Sequence, residues 1–190
     1  MITLITDASY CNQTGCAGWA AWAIGEVGRF TWSGPVTRIR CETSGDAEMV
    51  AALYGFMAVV RDMPPDDVLL QSDCQRTLEV LRALLGFGDN PYHGGSRTKP
   101  YRRTEHGVTA CERRVAEAWG VRLRDMPVQV RVRHVKGHTG KGLGGRYWVN
   151  RHVDQLAKAE MQKLRDGHAR STVIGGSALE IAATEGMQHA

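Results

Sequence analysis

Three β-type runs, ITLITDAS, AGWAAWAIG and GRFTWSG, fill most of the first 34 residues and are separated by only a few residues each. Parallel neighbours need a crossover of about a dozen residues or more, so runs this close must pair antiparallel, as a meander. In the first run Ile2, Leu4 and Thr6 fall on one face, and Ile5 and Asp7 on the other.

The pattern then changes period. Met49, Ala52, Leu53, Phe56 and Val60 recur at helical spacing over residues 46–60, with Thr43 or Ser44 as the cap. After the turn MPPDD, the run VLLQSD reads as a short buried strand, and CQRTLEVLRALLG as a helix closed by Gly86. This β-α-β-α order favours parallel pairing. Residues 86–106 carry many Gly and Pro breakers and predict an exposed loop, followed by a helix over 108–119. VQVRVRHVKG alternates Val128, Val130, Val132 and His134 against Gln129, Arg131 and Arg133, a half-buried strand. The final helix is expected over about 150–164, with Asp154 in its first turn, and 166–190 reads as a flexible tail behind a 1–165 domain.

Charge is unevenly distributed. Residues 1–95 hold 6 Lys+Arg against 11 Asp+Glu, residues 96–151 hold 14 against 4, and residues 152–190 hold 4 against 5. One concentrated cationic block beside an acidic remainder favours a polyanionic partner, nucleic acid above all. No apolar run approaches the roughly 18 residues of a membrane span, and MITLITDASY lacks the features of a signal peptide. The expectation is therefore a cytoplasmic protein with no membrane partner, monomeric because no coiled-coil pattern is present. Five cysteines without a CxxC pair argue for free thiols rather than disulfides or zinc. The five tryptophans, Trp148 among them, are expected to serve packing rather than base stacking.

Four carboxylates fall at element ends: Asp7 on the first strand, Glu48 early in the first helix, Asp73 at the end of the fourth strand and Asp154 on the last helix. Sites in open α/β sheets form in the crevice outside the strand ends, where these four can converge. Carboxylates packed together repel unless cations hold them, and hard divalent ions with oxygen ligands are the natural choice.

TDAS at 6–9 followed by GWAAWAI, TSGDAEMVAAL at 43–53, LQSDCQ at 70–75, VKGHTG at 135–140 and NRHVDQLAKA at 150–159 together resemble the successive motifs of type 1 ribonuclease H, across about residues 1–165. The resemblance implies an α/β RNase H-like fold: a five-stranded mixed sheet, three antiparallel strands then two parallel, with helices on both faces. It also implies an endonuclease that cuts the RNA strand of an RNA/DNA hybrid with two Mg²⁺ ions, or Mn²⁺, and leaves 3′-hydroxyl and 5′-phosphate ends. Carried over by position, Asp7 bridges both metals, Glu48 and Asp73 complete the ion near the leaving oxygen, and Asp154 the ion near the attacking water. His138 matches a mobile proton-handling histidine, for which GKGLGG supplies a flexible mount. Gln75 matches a groove-contacting glutamine, and Asn12 and Ser44 are placed with it as substrate contacts. Arg97, Lys99, Arg102 and Arg103 stand where many bacterial members carry a cationic protrusion.

The chain departs from the family pattern at Gly45 and Asp46, where Asn and Arg are usual. It also has a longer interval from His138 to Asp154 and a shorter protrusion. Two alternatives share some of these features. A nuclease of the same fold acting on DNA structures would keep the acids, but the exonuclease pattern wants a second acid at the position of Ser9. A non-catalytic nucleic-acid binding module predicts loss of acids that are all present.

Overall fold

The computed structural model describes residues 1–84, 111, 114–119, 128–135 and 144–174. Strands β1 (Ile2–Tyr10), β2 (Ala17–Gly25) and β3 (Gly28–Pro35) form the antiparallel meander that their short connections demand. Helix α1 (Ser44–Asp62) leads to β4 (Val68–Ser72), and α2 (Gln75–Leu84) follows. Residues 114–119 are helical (α3), β5 is Val130–His134, and α4 is Gly144–Ile174. The sheet order is β3-β2-β1-β4-β5, with β4 and β5 parallel to β1 and to each other.

β1 is central and packed on both faces. Leu4 joins Phe56, Leu70, Leu78 and Trp119 in the larger core, where the Phe56 and Trp119 rings stack at 4.6 Å. Burying each such side chain stabilises the fold by about 1.5–3 kcal/mol. On the other face Ile5 and Ala20 meet Val149, Val153 and Ala157, a one-turn stripe along α4. Gly18 on β2 lies directly against the α4 backbone: a Cβ there would collide with Ala157 O and Met161 N. Helix and sheet approach this closely only because position 18 has no side chain.

The helices differ from their sequence-based bounds for physical reasons. α1 starts at Ser44 and buries residues nearly all round, because it is sandwiched between the sheet and α2; Val60, expected inside, is 43% exposed. Met63 is extended, as a residue before proline must be, and closes the helix. α4 begins six residues before the expected start and runs ten past the expected end, so Asp154 lies well inside it. Glycine costs a helix only about 1 kcal/mol, and the first-turn N–H groups are unpaired in any case, so Gly144 and Gly145 do not stop a helix anchored by Val149, Val153 and Ala157. The expected loop at 86–106, the start of the 108–119 helix and the end of the tail lie outside the described residues.

Candidate metal centre

The β1–β4 register ends at Ile5 opposite Gln71, and both strands run the same way. Asp7 and Asp73 each stand two residues further on, so the chain reaches the same level at both. α1 brings Glu48 to this point. One oxygen from each of Asp7, Glu48 and Asp73 lies within 4.8 Å of the others. Asp154 is not part of that group. It pairs with Lys158 at 2.8 Å one turn along α4, although its charge is still felt at Asp7.

Burial and mutual charge dominate the electrostatics of the cluster. Burial, then the charge of Asp73, push the Asp7 carboxyl up to about 6 from its ordinary 3.8, opposed in part by hydrogen bonding with the Glu48 carboxyl and then by a 2.8 Å hydrogen bond from the Ala8 N–H. Burial raises Glu48 well above the usual carboxylate range, with Asp7 the next contributor. Glu48 Oε2 is buried and has no hydrogen-bond partner among the described residues. A buried, partnerless oxygen among three converging carboxylates is costly in isolation, and a hard divalent cation satisfies it.

α1 is fixed at this end by an interlocking cap. The Thr43 hydroxyl accepts the Asp46 N–H at 3.1 Å, while Asp46 Oδ2 accepts the N–H groups of Thr43 and Glu42 at 3.0 and 3.1 Å. Asp46 is fully buried, and its other oxygen lies 3.7 Å from the guanidinium of Arg76 at the start of α2. A Cβ on Gly45 would touch that guanidinium at 3.4 Å. The two residues that depart from the family pattern thus lie in one arrangement: Gly45 sits beside the Arg76 side chain, where a Cβ would make only ordinary contact, and Asp46 both caps the helix and pairs with Arg76. The arrangement ties the segment carrying Glu48 to the segment following Asp73. In the sequence Asp46 stands only as a departure, and nothing singles out Arg76; the capping-box spacing of Thr43 and Asp46 is the signal that points to the cap.

Among the expected substrate contacts, Asn12, Ser44 and Gln75 are exposed, Asn12 in the β1–β2 connection and the other two at the first residues of α1 and α2. His138, Arg97, Lys99, Arg102 and Arg103 lie outside the described residues. Trp119 is buried as expected, but Trp148 is 59% exposed and stacks on His152 at 5.0 Å. No helix among the described residues is long and apolar enough to cross a membrane.

The RNase H family profile matches residues 1–162. Among solved structures, RNase H1 from the halophilic archaeon Halobacterium salinarum is 17% identical, with a TM-score of 0.56 over 85% of this chain and 98% of that one. The N-terminal RNase H domain of a Mycobacterium tuberculosis protein, solved as a maltose binding protein fusion, is 13% identical, with a TM-score of 0.56 over 90% and 97%. LC11-RNase H1 in complex with RNA/DNA hybrid is 14% identical, with a TM-score of 0.53 over 86% and 99%. At these identities the likeness is one of fold. No curated protein sequence matches the chain.

Proposed function

This chain belongs to the RNase H family, and from that premise we propose that it is a metal-dependent endoribonuclease that hydrolyses the RNA strand of RNA/DNA hybrids and leaves 3′-hydroxyl and 5′-phosphate ends. The observation that carries the reading is the convergence of Asp7, Glu48 and Asp73 oxygens within 4.8 Å. LC11-RNase H1, a neighbour of the same fold, is solved in complex with RNA/DNA hybrid, which supports the choice of nucleic acid.

In this reading Asp7, Glu48 and Asp73 hold one Mg²⁺, and Asp7 with Asp154 a second, Mn²⁺ being an alternative. When bound, such ions lower the pKa of a coordinated water and neutralise charge on the departing 3′ oxygen. Asp7 must release its proton to serve as a ligand, and with its carboxyl raised to about 6 it does so near neutrality. Lys158 competes for Asp154, so full ligation requires that ion pair to loosen. His138 is assigned proton handling or product release. Asn12, Ser44 and Gln75 are assigned to the groove, and Arg97, Lys99, Arg102 and Arg103 to the DNA strand. Hybrid selectivity needs contacts to 2′-hydroxyls, because phosphates alone do not distinguish RNA from DNA. Catalysis is placed in residues 1–165 with 166–190 as an appended tail, in a monomeric cytoplasmic enzyme.

The test is cleavage of labelled RNA/DNA, RNA/RNA and DNA/DNA duplexes of one sequence with Mg²⁺, Mn²⁺ or EDTA. Metal-dependent cutting of the RNA strand in the hybrid alone supports the reading. Cutting of DNA/DNA, or tight binding with no cutting under any metal, overturns it.

A further inference from the structure

Among the described residues, a helix covers one half of the α4 side of the sheet. α4 packs on β1, β2 and β3, and among the described residues no helix packs on β4 and β5 from that side. Cross-strand register fixes which side chains share this face. Ile5, which packs against α4, is opposite Gln71, and Gln71 is opposite Arg133; Thr3, Leu69 and Arg131 align in the same way. The intervening Val130 and Val132 pack into the core on the opposite face, so Arg131 and Arg133 project from the face that carries Ile5, where their β4 neighbour Gln71 is buried. Both are exposed.

Asp7 projects from the same face as Ile5, two residues further along β1. With strands about 4.8 Å apart and about 3.3 Å per residue, the Arg133 Cα lies within about 12 Å of the Asp7 Cα. Arg133, with Arg131 beyond it, therefore stands beside the acidic cluster on β5, the last strand of the described sheet. Two guanidiniums at alternate positions of an edge strand also discourage edge-to-edge pairing, but that role does not require them to share a face with the acids. An anionic backbone engaged at the cluster and continuing toward β5 meets both exposed cations. We propose that Arg131 and Arg133 bind the phosphates that flank the cleaved one, forming a backbone track along β5. This rests on the hydrolase reading for the position of the cleaved phosphate, and it adds a surface that the sequence motifs do not include.

The test is binding of a labelled RNA/DNA hybrid in EDTA across a salt series, with wild type, the double variant Arg131→Gln/Arg133→Gln, and the double variant Arg131→Lys/Arg133→Lys, each checked for an unchanged thermal melt. Loss of two phosphate contacts lowers the slope of log affinity against log salt by about 1.5 to 2, and weakens binding about tenfold at roughly 0.1 M salt. In cleavage the glutamine variant raises KM by more than it lowers kcat, and the lysine variant keeps most of the slope. A glutamine variant with the wild-type slope overturns the track, as does a lysine variant that loses as much slope as the glutamine variant. A wild type that binds the hybrid with a steep salt slope but never cuts it overturns the hydrolase reading and leaves the track standing.

Discussion

The start of α1 and the middle of α4 each carry a carboxylate whose charge is felt at Asp7, but they hold it differently. Glu48 sits two residues beyond a buried aspartate that caps its helix and is itself paired with the next one, and its own carboxyl is buried against Asp7 with Oε2 lacking a hydrogen-bond partner among the described residues. Asp154 lies on the flank of a helix anchored elsewhere along its length, and it already has a cation in Lys158. One side of the centre is preorganised and electrostatically costly, the other loosely held and neutralised. Metal affinity should therefore be set by the α1 side, while Asp154 and Lys158 adjust it.

The largest expected effect tests the costly side. Asp7→Asn should reduce hybrid cleavage by at least about 10³-fold, since it removes the carboxylate common to both proposed metal positions. In EDTA the same variant should be more stable by about 1–2 kcal/mol, because a buried, repelled charge is gone; a lower melting temperature in EDTA would show that the cluster is not under repulsion. Next comes the cap. Asp46→Ala removes two backbone hydrogen bonds and leaves Arg76 without its buried partner, an expected loss of about 2–3 kcal/mol in urea unfolding. If α1 sets the affinity, the variant also needs several-fold more Mg²⁺ for half-maximal cleavage, and an unchanged Mg²⁺ midpoint would separate the cap from the centre.

The acidity of Asp7 gives a pH signature of similar size. Between its ordinary 3.8 and the raised value of about 6, the native state keeps a proton that the unfolded state releases. Metal-free stability should therefore fall as pH rises through that window, by about 3 kcal/mol at most from this group. Mg²⁺, which binds the ionised form, should reverse the trend, and cleavage at limiting Mg²⁺ should rise with pH across the same range. Thermal melts with and without Mg²⁺ at stepped pH check both directions. The smallest effect is expected on the other side of the comparison. Lys158→Met breaks a single ion pair whose lysine is 53% exposed, so stability should change by less than about 0.5 kcal/mol. Freed of its competitor, Asp154 should lower the Mg²⁺ midpoint by a factor of about two or three, as read from cleavage titrations.

Much of the fold and of the centre is legible in the chain itself. The meander follows from connection length, the parallel pair from β-α-β-α order, and the site motifs from residue type at fixed positions. What is not legible lies in relations between segments. The bounds of α4 escape a local reading because glycine counts there as a breaker, although burial of Val149, Val153 and Ala157 carries the helix through it. Residue type alone assigns Trp148 to packing, but its exposure depends on which flank of α4 turns away from the sheet. Asp46 is a bare departure from a pattern unless Arg76, thirty positions away, is known to lie beside it.

By itself the sequence determined the succession of strands and helices, the family resemblance, and four candidate acids, because periodicity, turn chemistry and residue type are local properties of the chain. Only the tertiary structure decided that three of those acids meet while Asp154 stands apart with Lys158, and that Arg131 and Arg133 share a face with Asp7. Those outcomes depend on strand register and helix docking, which are set by packing summed over the whole core and by no single segment.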